Sequence, residues 1–389
     1  MRVLMTAIPA PGHVTLMVPL AWGLRAAGHE VVVVSQPDLA PVIRGAGLPA
    51  HAVGEHLDQL AMLRERLPDD QPPIEAWGRQ GEVMAAIAAR TWATFTQYAV
   101  DRYVDFATAW RPDLIVSEPF EFTGRLAGGV LKIPSVRHGL GVNGLTGRFD
   151  GTAREVLSRT ADRLGLESGL PEPALTLDPC PPTLQYPGIS GAQPLRFVPY
   201  NGTGVLPDWA VDMPRDVRRV CVSLGNQTIA LNGMPLLRRL VEAVSGIDRT
   251  EVVVAVSSSD LPLVGDVPGN VRLVDSLPLQ LFLHHCDAVV HHGGAGTALT
   301  ATSFGLPQLV VPQFLDQFDF GDRIAAVGAG IALDTVEKQN SVEGLRQAVT
   351  DLLEDSAYTR AARGLRDEMA AMPSPAETVT LLEQLAAGR

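Results

Sequence analysis

The segment Asp287–Gln317, DAVVHHGGAGTALTATSFGLPQLVVPQFLDQ, contains the pattern that decides the fold. A short apolar run ends at paired histidines and glycines, a helical pattern covers 297–304, and a second apolar run at 309–311 leads to Asp316 and Gln317. This order predicts a strand, a glycine-rich turn, a helix and a second strand, which together form one βαβ unit. Glycine lets main-chain N–H groups approach a phosphate closely, and the start of a helix carries partial positive charge. The segment therefore predicts a binding site for a phosphorylated compound.

Six consecutive residues of this segment are candidate ligands for phosphate oxygens: His292, Gly293, Gly294, Ala295, Gly296 and Thr297. A plain turn between a strand and a helix needs fewer small residues and no pair of histidines, so the combination indicates more than a turn. The His292 imidazole can donate a hydrogen bond to phosphate, and the Thr297 hydroxyl can add another. We expect His291 to point the other way, into the packed interior.

A dinucleotide-binding fingerprint is an alternative interpretation of the same segment. Gly294 and Gly296 form a G-x-G pair, and Asp316 lies twenty positions after Gly296, where a ribose-binding acid would stand. Leu299 occupies the position of the third small residue. The match to a nicotinamide-dependent dehydrogenase is therefore incomplete.

The histidines of the sequence HHCDAVVHH raise the question of a metal site. His285 and His291 flank a strand, and six residues of extended chain separate them by about 20 Å. Every ligand of one zinc ion must lie within about 2.3 Å of it. The spacing rules out a single zinc site here, and we expect neither a metal ion nor another cofactor.

The composition is that of a globular protein, with 46% hydrophobic and 19% charged residues, and the 389 residues favour two domains. The formal net charge of -12 comes without a cluster of Lys and Arg, which argues against nucleic acid as a partner. No run of about 20 apolar residues could span a bilayer, and the first residues do not form a signal peptide. We therefore expect a cytoplasmic protein without stable membrane insertion, in which Cys180, Cys221 and Cys286 are small core residues.

The first forty residues predict another βαβ unit. A strand covers 2–8, a turn covers 9–12, a helix covers 14–27, and four consecutive valines form the next strand at 31–34. Parallel strands joined through a helix cross over with right-handed topology. His13 lies on the loop after the first strand, at the edge where open α/β sheets bind ligands. His13 is therefore a candidate general base.

A histidine base works best when a carboxylate fixes its tautomer through the other ring nitrogen. The strand predicted at 113–117 ends beside two acids, Glu118 and Glu121. Glu118 is the first candidate for this carboxylate and Glu121 is the second. Either could instead be a solvated loop acid, and the sequence leaves this open.

Five aromatic residues lie on or before a long helical stretch: Trp77, Trp92, Phe95, Tyr98 and Tyr103. They could line an apolar substrate pocket, or they could pack the helix against the sheet. The sequence does not decide between these alternatives.

A domain boundary is predicted near the middle of the chain. Residues 199–214 combine an Asn-Gly pair and several prolines with little periodicity, and a new α/β pattern begins at 219. We therefore predict an N-terminal Rossmann-like domain at 1–205 and a C-terminal Rossmann-like domain at 206–370. A terminal helix within 371–389 is expected to pack back toward the N-terminal domain.

Three stretches of the chain resemble one family: PAPGHVTLMVPLAWGLRAAGHEVVVVS, VHHGGAGT and PQFLDQ. They are similar to family 1 glycosyltransferases of the GT-B fold, and above all to actinobacterial enzymes that attach deoxysugars to polyketide and related antibiotics. The resemblance covers nearly the whole chain and is more specific in its second half. It implies an α/β fold with two Rossmann-like domains facing each other across a cleft. The N-terminal domain would receive the acceptor and the C-terminal domain the nucleotide-sugar, without a metal ion.

The resemblance also implies roles for individual residues. His13 corresponds to the catalytic base and Glu118 to its supporting acid, which is commonly Asp in relatives. His292 to Thr297 correspond to the pyrophosphate loop, and the other donor-binding positions are Gly12, Ser223, Gly225, Asn226, Leu277, Asp316 and Gln317. Ser276 stands where many relatives carry Trp, so we expect main-chain contacts from Leu277 to the base rather than aromatic stacking.

The predicted function is transfer of a deoxysugar from a nucleotide-sugar, expected to be TDP-activated, to a hydrophobic polyketide-like acceptor with inversion. Alternatives are a nucleotide-sugar epimerase of the same fold and a catalytically silent partner of a true transferase. The sequence allows a homodimer. It does not identify the sugar, the aglycone or the type of glycosidic bond.

Overall fold

The computed structural model describes residues 1–79, 81–142, 146–189, 191–211, 213–214, 217–275 and 277–388. Within these ranges the strands are β1 (Arg2–Thr6), β2 (Glu30–Ser35), β3 (Ala50–Ala52), β4 (Leu114–Ser117), β5 (Ser135–His138), β6 (Leu175–Asp178), β7 (Gln193–Pro194), β8 (Arg218–Ser223), β9 (Thr250–Val256), β10 (Val271–Asp275), β11 (Ala288–His291), β12 (Gln308–Val310) and β13 (Gly330–Ala332). The helices are α1 (Pro11–Ala26), α2 (Ala40–Gly45), α3 (Gln59–Arg66), α4 (Pro73–Ala76), α5 (Gly81–Trp110), α6 (Thr123–Leu131), α7 (Thr146–Arg163), α8 (Gly225–Thr228), α9 (Met234–Ser245), α10 (Leu261–Val264), α11 (Ala295–Ser303), α12 (Asp316–Ala326), α13 (Val336–Asn340), α14 (Val342–Glu354), α15 (Ser356–Ala371) and α16 (Pro375–Ala387).

The strands form two parallel sheets with the same pattern of connection. The first sheet has the order β3-β2-β1-β4-β5-β6-β7, and the second has the order β10-β9-β8-β11-β12-β13. The direction of winding therefore reverses between β1 and β4 and again between β8 and β11. The carboxyl ends of strands at such a reversal leave an opening where open α/β sheets bind ligands. The predicted pair of Rossmann-like folds is confirmed.

The central strands are apolar because helices cover both faces of each parallel sheet. In β4 and β11 every residue is buried, and in β1 and β2 only the first residue is exposed. The three cysteines are buried reduced thiols, as expected. Polar side chains are consequently concentrated at the strand ends.

The chain divides into two compact units whose boundaries differ from the predicted domains. The first unit comprises Met1–Gln59, Gly81–Phe197 and Ala371–Arg389, and the second comprises Leu60–Gln80 and Val198–Ala370. The predicted N-terminal domain, 1–205, therefore loses 60–80 to the second unit, and its end lies at 197. The sequence did not show this because the proline-rich residues 68–73 resembled an ordinary loop.

The last helix belongs to the first unit, where it packs on α1. A Cβ at Gly23 would lie 3.2 Å from the Pro375 carbonyl carbon, so glycine permits this close approach. His29 Nε2 lies 2.9 Å from Glu383 Oε1. The start of α16 is closed by a capping box between Ser374 and Glu377.

Segment 60–80 is held in the second unit by apolar and ionic contacts. The Trp77 ring meets Phe314 edge-on, with ring centroids 5.6 Å apart. Arg79 donates two hydrogen bonds to the Asp322 carboxylate and a third, of 3.0 Å, to Asp334. Leu67 joins the same cluster as Phe314. These contacts explain why this segment of the N-terminal half completes the second unit.

The aromatic residues do not share one role. Trp92 and Tyr103 are buried in two apolar clusters of the first unit. Phe95 packs against the cluster that contains Trp92. Tyr98 is 81% exposed, and Trp77 lies in the second unit. The packing interpretation therefore holds for Trp92 and Tyr103, whereas Tyr98 does not pack in the core of the first unit.

None of the helices in the described ranges is long and apolar enough to cross a membrane.

We predict that Gly124→Ala destabilises the first unit by about 1–3 kcal/mol, because a side chain there overpacks the contact between α6 and the sheet. A Cβ at Gly124 would overlap Ser117 Oγ and would lie 2.7 Å from Thr6 Oγ1. The matched control is Gly151→Ala in α7, where no atom of the described residues lies within 4 Å of the added carbon. The control should stabilise its helix by about 0.5–1 kcal/mol. Urea unfolding of both variants measures the difference, and equal stability would contradict the packing argument.

Candidate functional site

His13 is the third residue of α1 and not a loop residue as predicted. The helix starts at Pro11, whose ring suits the first helical position because its missing N–H has no partner there anyway. The helix therefore begins three residues earlier than the predicted residue, Val14. This start places the imidazole in the first turn, just after the carboxyl end of β1.

The structure brings His13 and Glu118 together at the reversal between β1 and β4. His13 Nδ1 lies 3.0 Å from Glu118 Oε2, and the histidine side chain is 24% exposed while the glutamate side chain is fully buried. Main-chain N–H groups of Ile8 and Phe120 donate to the same carboxylate, at 3.2 and 3.0 Å. An ionised carboxylate only accepts, so Nδ1 carries the proton and Nε2 of the neutral ring carries the lone pair. The hydrogen bond thus orients an imidazole that is partly accessible to solvent.

Glu121, the second candidate for this role, is committed to the start of α6. Its carboxylate accepts hydrogen bonds from the Thr123 N–H and hydroxyl and, at 3.1 Å, from the Gly124 N–H. Burial raises the pKa of Glu121, while the hydrogen bonds from Thr123 and Thr6 act in the opposite direction. These contacts correct the sequence expectation, because they make Glu121 a cap of a buried helix start.

His138 is a polar residue near this pair that the sequence reasoning missed. It is the last residue of β5, and β5 pairs with β4 so that Arg137 lies opposite Ser117. Its Nδ1 donates to the Gly139 carbonyl at 2.8 Å, and burial lowers its pKa to about 4, while the charge of Glu118 acts in the opposite direction. The sequence did offer a signal for His138, because this histidine directly follows the short strand predicted at 133–137.

The glycine-rich loop lies at the corresponding reversal of the second sheet. β11 ends at His291 opposite Ser223, the last residue of β8. Helix α11 starts at Ala295 with Gly294 as its N-cap, and among the residues described no side chain caps this start. The first turn of a helix leaves its N–H groups without partners in the helix, and here these groups belong to Ala295, Gly296 and Thr297. The helix begins two residues earlier than predicted, so the unpaired N–H groups of its first turn belong to the glycine-rich loop itself.

Two glycines make room for the His292 ring. A Cβ at Gly225, where φ is +68°, would lie 2.8 Å from His292 Cε1, and a Cβ at Gly294 would overlap His292 Nε2. The ring is therefore held between the loop after β8 and the loop after β11. A larger residue at either position would displace the imidazole.

Gly293 and Gly296 serve different purposes in the loop. A Cβ at Gly293, where φ is +93°, would lie 2.7 Å from the Gln317 carbonyl oxygen, so glycine is required for packing. At Gly296 an added Cβ would meet nothing within 4 Å among the atoms that the structure describes. Packing within the protein therefore does not require glycine at 296, where the helix start is left open to a ligand.

The two adjacent histidines have different environments, as predicted. His291 is fully buried and bonds to Gln308 at 2.8 Å, which confirms that it points into the interior. Burial lowers its pKa to about 3, and the neighbouring His292 acts in the same direction. His292 is partly exposed, and desolvation lowers its pKa to about 4, while a main-chain group of Ser223 opposes the shift. At neutral pH both rings are uncharged, so His292 can offer a ligand an N–H group without a full positive charge.

Asp316 and Gln317 form the first turn of α12. Asp316 is partly exposed, and its role as a ligand for sugar hydroxyls stays a prediction. Gln317 is buried, and its Oε1 accepts hydrogen bonds from the main-chain N–H groups of Gln313, at 2.8 Å, and Phe314. The Gln317 oxygen thus holds the preceding loop, and the predicted contact of this residue with sugar hydroxyls, through its amide nitrogen, stays a prediction.

The other predicted donor positions are spread over both units. Ser223 is buried at the end of β8, Asn226 is exposed in α8, and Leu277 is a partly buried member of the cluster around Phe282. Gly12 is exposed in α1 of the first unit. Ser276 lies outside the described residues.

Asn201 is a further residue at the loop that was assigned only to the linker. Its Nδ2 donates to Thr300 Oγ1 at 3.1 Å, and the Thr300 hydroxyl donates to the Gly296 carbonyl at 2.6 Å. These contacts tie residue 201 to the first turn of α11. The Asn-Gly pair at 201–202 predicted a turn, and nothing in the linear sequence pointed to this partner.

Metal-ligating side chains do not cluster in the described part of the chain, where no three His, Cys, Asp or Glu residues are placed to hold one ion. His285 Nε2 instead lies 3.0 Å from the Ala210 carbonyl oxygen.

Comparison with known proteins gives two family matches that divide the chain. The family described as "Erythromycin biosynthesis protein CIII-like, N-terminal domain" matches residues 22–225. The corresponding C-terminal domain family matches residues 238–385.

Relatives of known activity match over almost the full chain. It is 38% identical to L-demethylnoviosyl transferase of Streptomyces niveus, over 97% of this chain and 96% of the relative. It is 35% identical to Aclacinomycin-T 2-deoxy-L-fucose transferase of Streptomyces galilaeus, over 100% and 96%. The solved structure of Spinosyn Rhamnosyltransferase SpnG complexed with thymidine diphosphate is 38% identical, with a TM-score of 0.89 over 98% of this chain and 100% of that one. The same relative complexed with spinosyn aglycone is 37% identical, with the same TM-score and coverage.

We predict that the stability of the first unit falls as the pH drops from about 6.5 toward 4, because of the buried His138. Its pKa is lowered to about 4 in the folded chain, against about 6.5 when unfolded. Between these values only the unfolded chain takes up the proton, so unfolding becomes easier by about 1.4 kcal/mol per pH unit. Above pH 6.5 the ring is neutral in both the folded and the unfolded chain, so the stability no longer changes with pH through this group.

Urea unfolding at pH 7 and pH 5 measures this effect. His138→Asn, whose amide can still donate to Gly139, should show a smaller loss between the two pH values than the wild type. His56→Asn is the control, because the His56 side chain is 79% exposed. If His138→Asn keeps the wild-type loss, the buried neutral ring is not its source.

Proposed function

The chain belongs to the family described as Erythromycin biosynthesis protein CIII-like and is a glycosyltransferase of the GT-B fold, and from this premise we propose its substrates and mechanism. The enzyme transfers a deoxysugar from a thymidine diphosphate donor to a hydrophobic, polyketide-like aglycone. His13 removes the acceptor proton, and the configuration at the anomeric carbon is inverted. The membership sets aside the dehydrogenase interpretation of Gly294 and Gly296.

The donor side of the proposal rests on the loop of the second unit. A diphosphate needs donors close to its oxygens, and the start of α11 offers main-chain N–H groups together with the positive end of the helix dipole. A Cβ added at Gly296 would meet no atom within 4 Å among the described residues. This space can admit a ligand. His292 adds an N–H group from the side. The rhamnosyltransferase relative complexed with thymidine diphosphate supports the choice of nucleotide.

The acceptor side rests on one observation, the hydrogen bond between His13 and the buried Glu118. In the reaction the acceptor oxygen attacks the anomeric carbon while the bond from that carbon to the diphosphate oxygen breaks. The acceptor proton passes to His13 Nε2, and the nucleoside diphosphate leaves with the electron pair of the broken bond. Glu118 then faces the imidazolium that forms and stabilises its charge. Attack from the side opposite the leaving group produces inversion.

The charge of the leaving diphosphate is met by oriented dipoles in this proposal, with no metal ion or other cofactor taking part. N–H groups that are already aimed at the developing charge need little rearrangement during the reaction, which makes such sites effective. Asp316 at the start of α12 is proposed to accept hydrogen bonds from the sugar hydroxyls. The rhamnosyltransferase relative complexed with spinosyn aglycone supports an aglycone as the acceptor.

The named relatives are glycosyltransferases, which sets aside the two alternatives of the sequence analysis, and simple assays would reveal either of them. A nucleotide-sugar epimerase would convert the donor without an acceptor, and this would appear as a new sugar in the absence of aglycone. A silent partner of a true transferase would bind thymidine diphosphate yet release none from a TDP-sugar, whichever aglycone is present.

We predict that His13→Ala lowers kcat by about 10²–10⁴-fold, the usual contribution of a general base, while thymidine diphosphate binds with nearly unchanged affinity. Glu118→Gln should lower kcat by about 10–100-fold, because a neutral amide stabilises the imidazolium less well. Release of TDP from a TDP-sugar with a polyketide aglycone reports turnover, and calorimetry reports affinity. His56→Ala, an exposed histidine of the same unit, is the control. Wild-type turnover in His13→Ala would refute the assignment of the base.

We predict that Gly296→Ala folds with unchanged or slightly higher stability but binds thymidine diphosphate at least about tenfold more weakly. The added methyl meets no described protein atom within 4 Å, and alanine favours the helix by up to about 1 kcal/mol, so any loss must come from the ligand. Gly364→Ala in α15 is the matched control, since its added carbon also meets nothing within 4 Å among the residues described. Calorimetry and urea unfolding provide the two readings. Undiminished affinity in Gly296→Ala would place the diphosphate elsewhere.

A further inference from the structure

We propose that His291, Gln308 and Thr302 form a buried hydrogen-bond relay that positions the diphosphate-binding loop, so that donor affinity depends on side chains that point away from the ligand. This inference rests on the proposed placement of the diphosphate at the start of α11. It assigns a task to the first histidine of the pair, which the mechanism does not use.

The relay begins at the loop and ends inside α11. The Gly293 N–H donates to His291 Nδ1 at 2.9 Å, and His291 Nε2 lies 2.8 Å from Gln308 Oε1. Gln308 Nε2 donates to Thr302 Oγ1 at 3.0 Å, and the Thr302 hydroxyl donates to the Ala298 carbonyl at 2.9 Å. Four hydrogen bonds thus connect the main chain of the loop with the main chain of the helix.

The two ends of the relay, the Gly293 N–H and the Ala298 carbonyl, determine which atom donates in each hydrogen bond. The Ala298 carbonyl can only accept, so the Thr302 hydroxyl donates to it and accepts from the Gln308 amide nitrogen. The Gln308 oxygen is then the atom that faces His291, which must present a protonated Nε2. Nδ1 is left as an acceptor, as the Gly293 N–H requires. The proton assignment derived from α11 therefore agrees with the one derived from the loop.

Burial makes each of these bonds necessary. His291, Thr302 and Gln308 are almost completely buried, so a group that loses its partner cannot turn to water instead. A buried donor or acceptor without a partner loses its hydration with nothing in return, which is unfavourable. The loop conformation in which Gly293 is bonded is consequently favoured over conformations in which it is not.

The relay connects four of the pieces of chain that build the site. His291 ends β11, Gly293 lies in the loop, Thr302 lies in α11, and Gln308 begins β12. Gly293 takes a φ of +93°, and the next residue, Gly294, is the N-cap of α11. Fixing the Gly293 N–H therefore fixes the turn that aims the first N–H groups of the helix at the ligand. A loop ordered before binding loses less entropy when the diphosphate arrives.

The test removes the relay at Gln308, whose side chain bonds to His291 and Thr302 and lies behind the loop. Gln308→Met keeps the length of the side chain but can neither donate nor accept as an amide does. We expect thymidine diphosphate to bind about tenfold more weakly, since about 1.4 kcal/mol corresponds to a factor of ten. The KM for a TDP-sugar should rise by a similar factor while kcat changes by less than about twofold, because the reacting groups stay in place. Amide hydrogen exchange of a peptide covering 291–297 should become faster in the free protein.

Two further variants separate positioning from general loss of stability. Gln185→Met removes a buried glutamine of the first unit that bonds to Asp178 and Gly141, and it should lower stability without changing the affinity for thymidine diphosphate. His291→Asn leaves an oxygen that can still accept from Gly293, so affinity should fall less than in His291→Leu. If Gln308→Met does not fold, Thr302→Val interrupts the relay at a residue of similar shape, with the same expectations.

Each outcome bears on one of the two proposals. If the wild type does not bind thymidine diphosphate, or binds it without protecting the peptide 291–297, the proposed placement of the diphosphate is wrong. If the wild type binds and protects the peptide but Gln308→Met or Thr302→Val matches its affinity and its loop exchange, the relay proposal is overturned. The relay proposal is supported if Gln308→Met or Thr302→Val binds thymidine diphosphate more weakly than the wild type and exchanges the amides of 291–297 faster. Gln185→Met should match the wild type in both measurements.

Discussion

Polar chemistry in this protein is confined to the carboxyl edges of its two parallel sheets, and the rest of the structure depends on this constraint. Helices cover both faces of each sheet, and main-chain groups inside the strands are paired, so the strand interiors accept apolar side chains almost exclusively. The first place where the chain can present donors and acceptors is the strand end. In each unit the reversal of winding opens a gap at that edge. The pair of His13 and Glu118 occupies the gap in the first unit, and His292 with the start of α11 occupies the gap in the second.

Uncharged imidazoles are a second common feature of these edges. Burial lowers the pKa values of His138 and His292 to about 4 and that of His291 to about 3. A neutral ring can accept at one nitrogen and donate at the other, whereas an imidazolium can only donate. His291 uses both atoms to hold the loop, and His13 needs an unprotonated Nε2 to act as a base. The low polarity that keeps His138, His291 and His292 neutral also strengthens the hydrogen bonds and dipoles directed at a bound anion.

Each unit is completed by a piece of chain that is remote in sequence. Segment 60–80 is held in the second unit by Trp77 and Arg79, while α16 packs on α1 in the first unit. Trp77 contacts Phe314 in the loop that Gln317 holds in place, just before Asp316. Residues from the first quarter of the chain therefore support the position of Asp316, which is proposed to bind the sugar hydroxyls. A division of the sequence into consecutive halves does not describe this arrangement.

The sequence by itself determined the fold class, the βαβ unit that begins each candidate loop and the two loops themselves, because continuous apolar runs, glycine turns and helical spacing are local signals. It also separated the roles of the two adjacent histidines, since consecutive residues of a strand point to opposite faces. Only the tertiary structure decided between Glu118 and Glu121, because both acids follow the same strand and their partners, His13 and the start of α6, lie elsewhere in the chain. It alone placed Gln317 Oε1 on the loop, residues 60–80 in the second unit and Gln308 behind His291. These contacts join residues that are distant in sequence, and their hydrogen bonds and packing leave no periodic trace that a linear pattern could reveal.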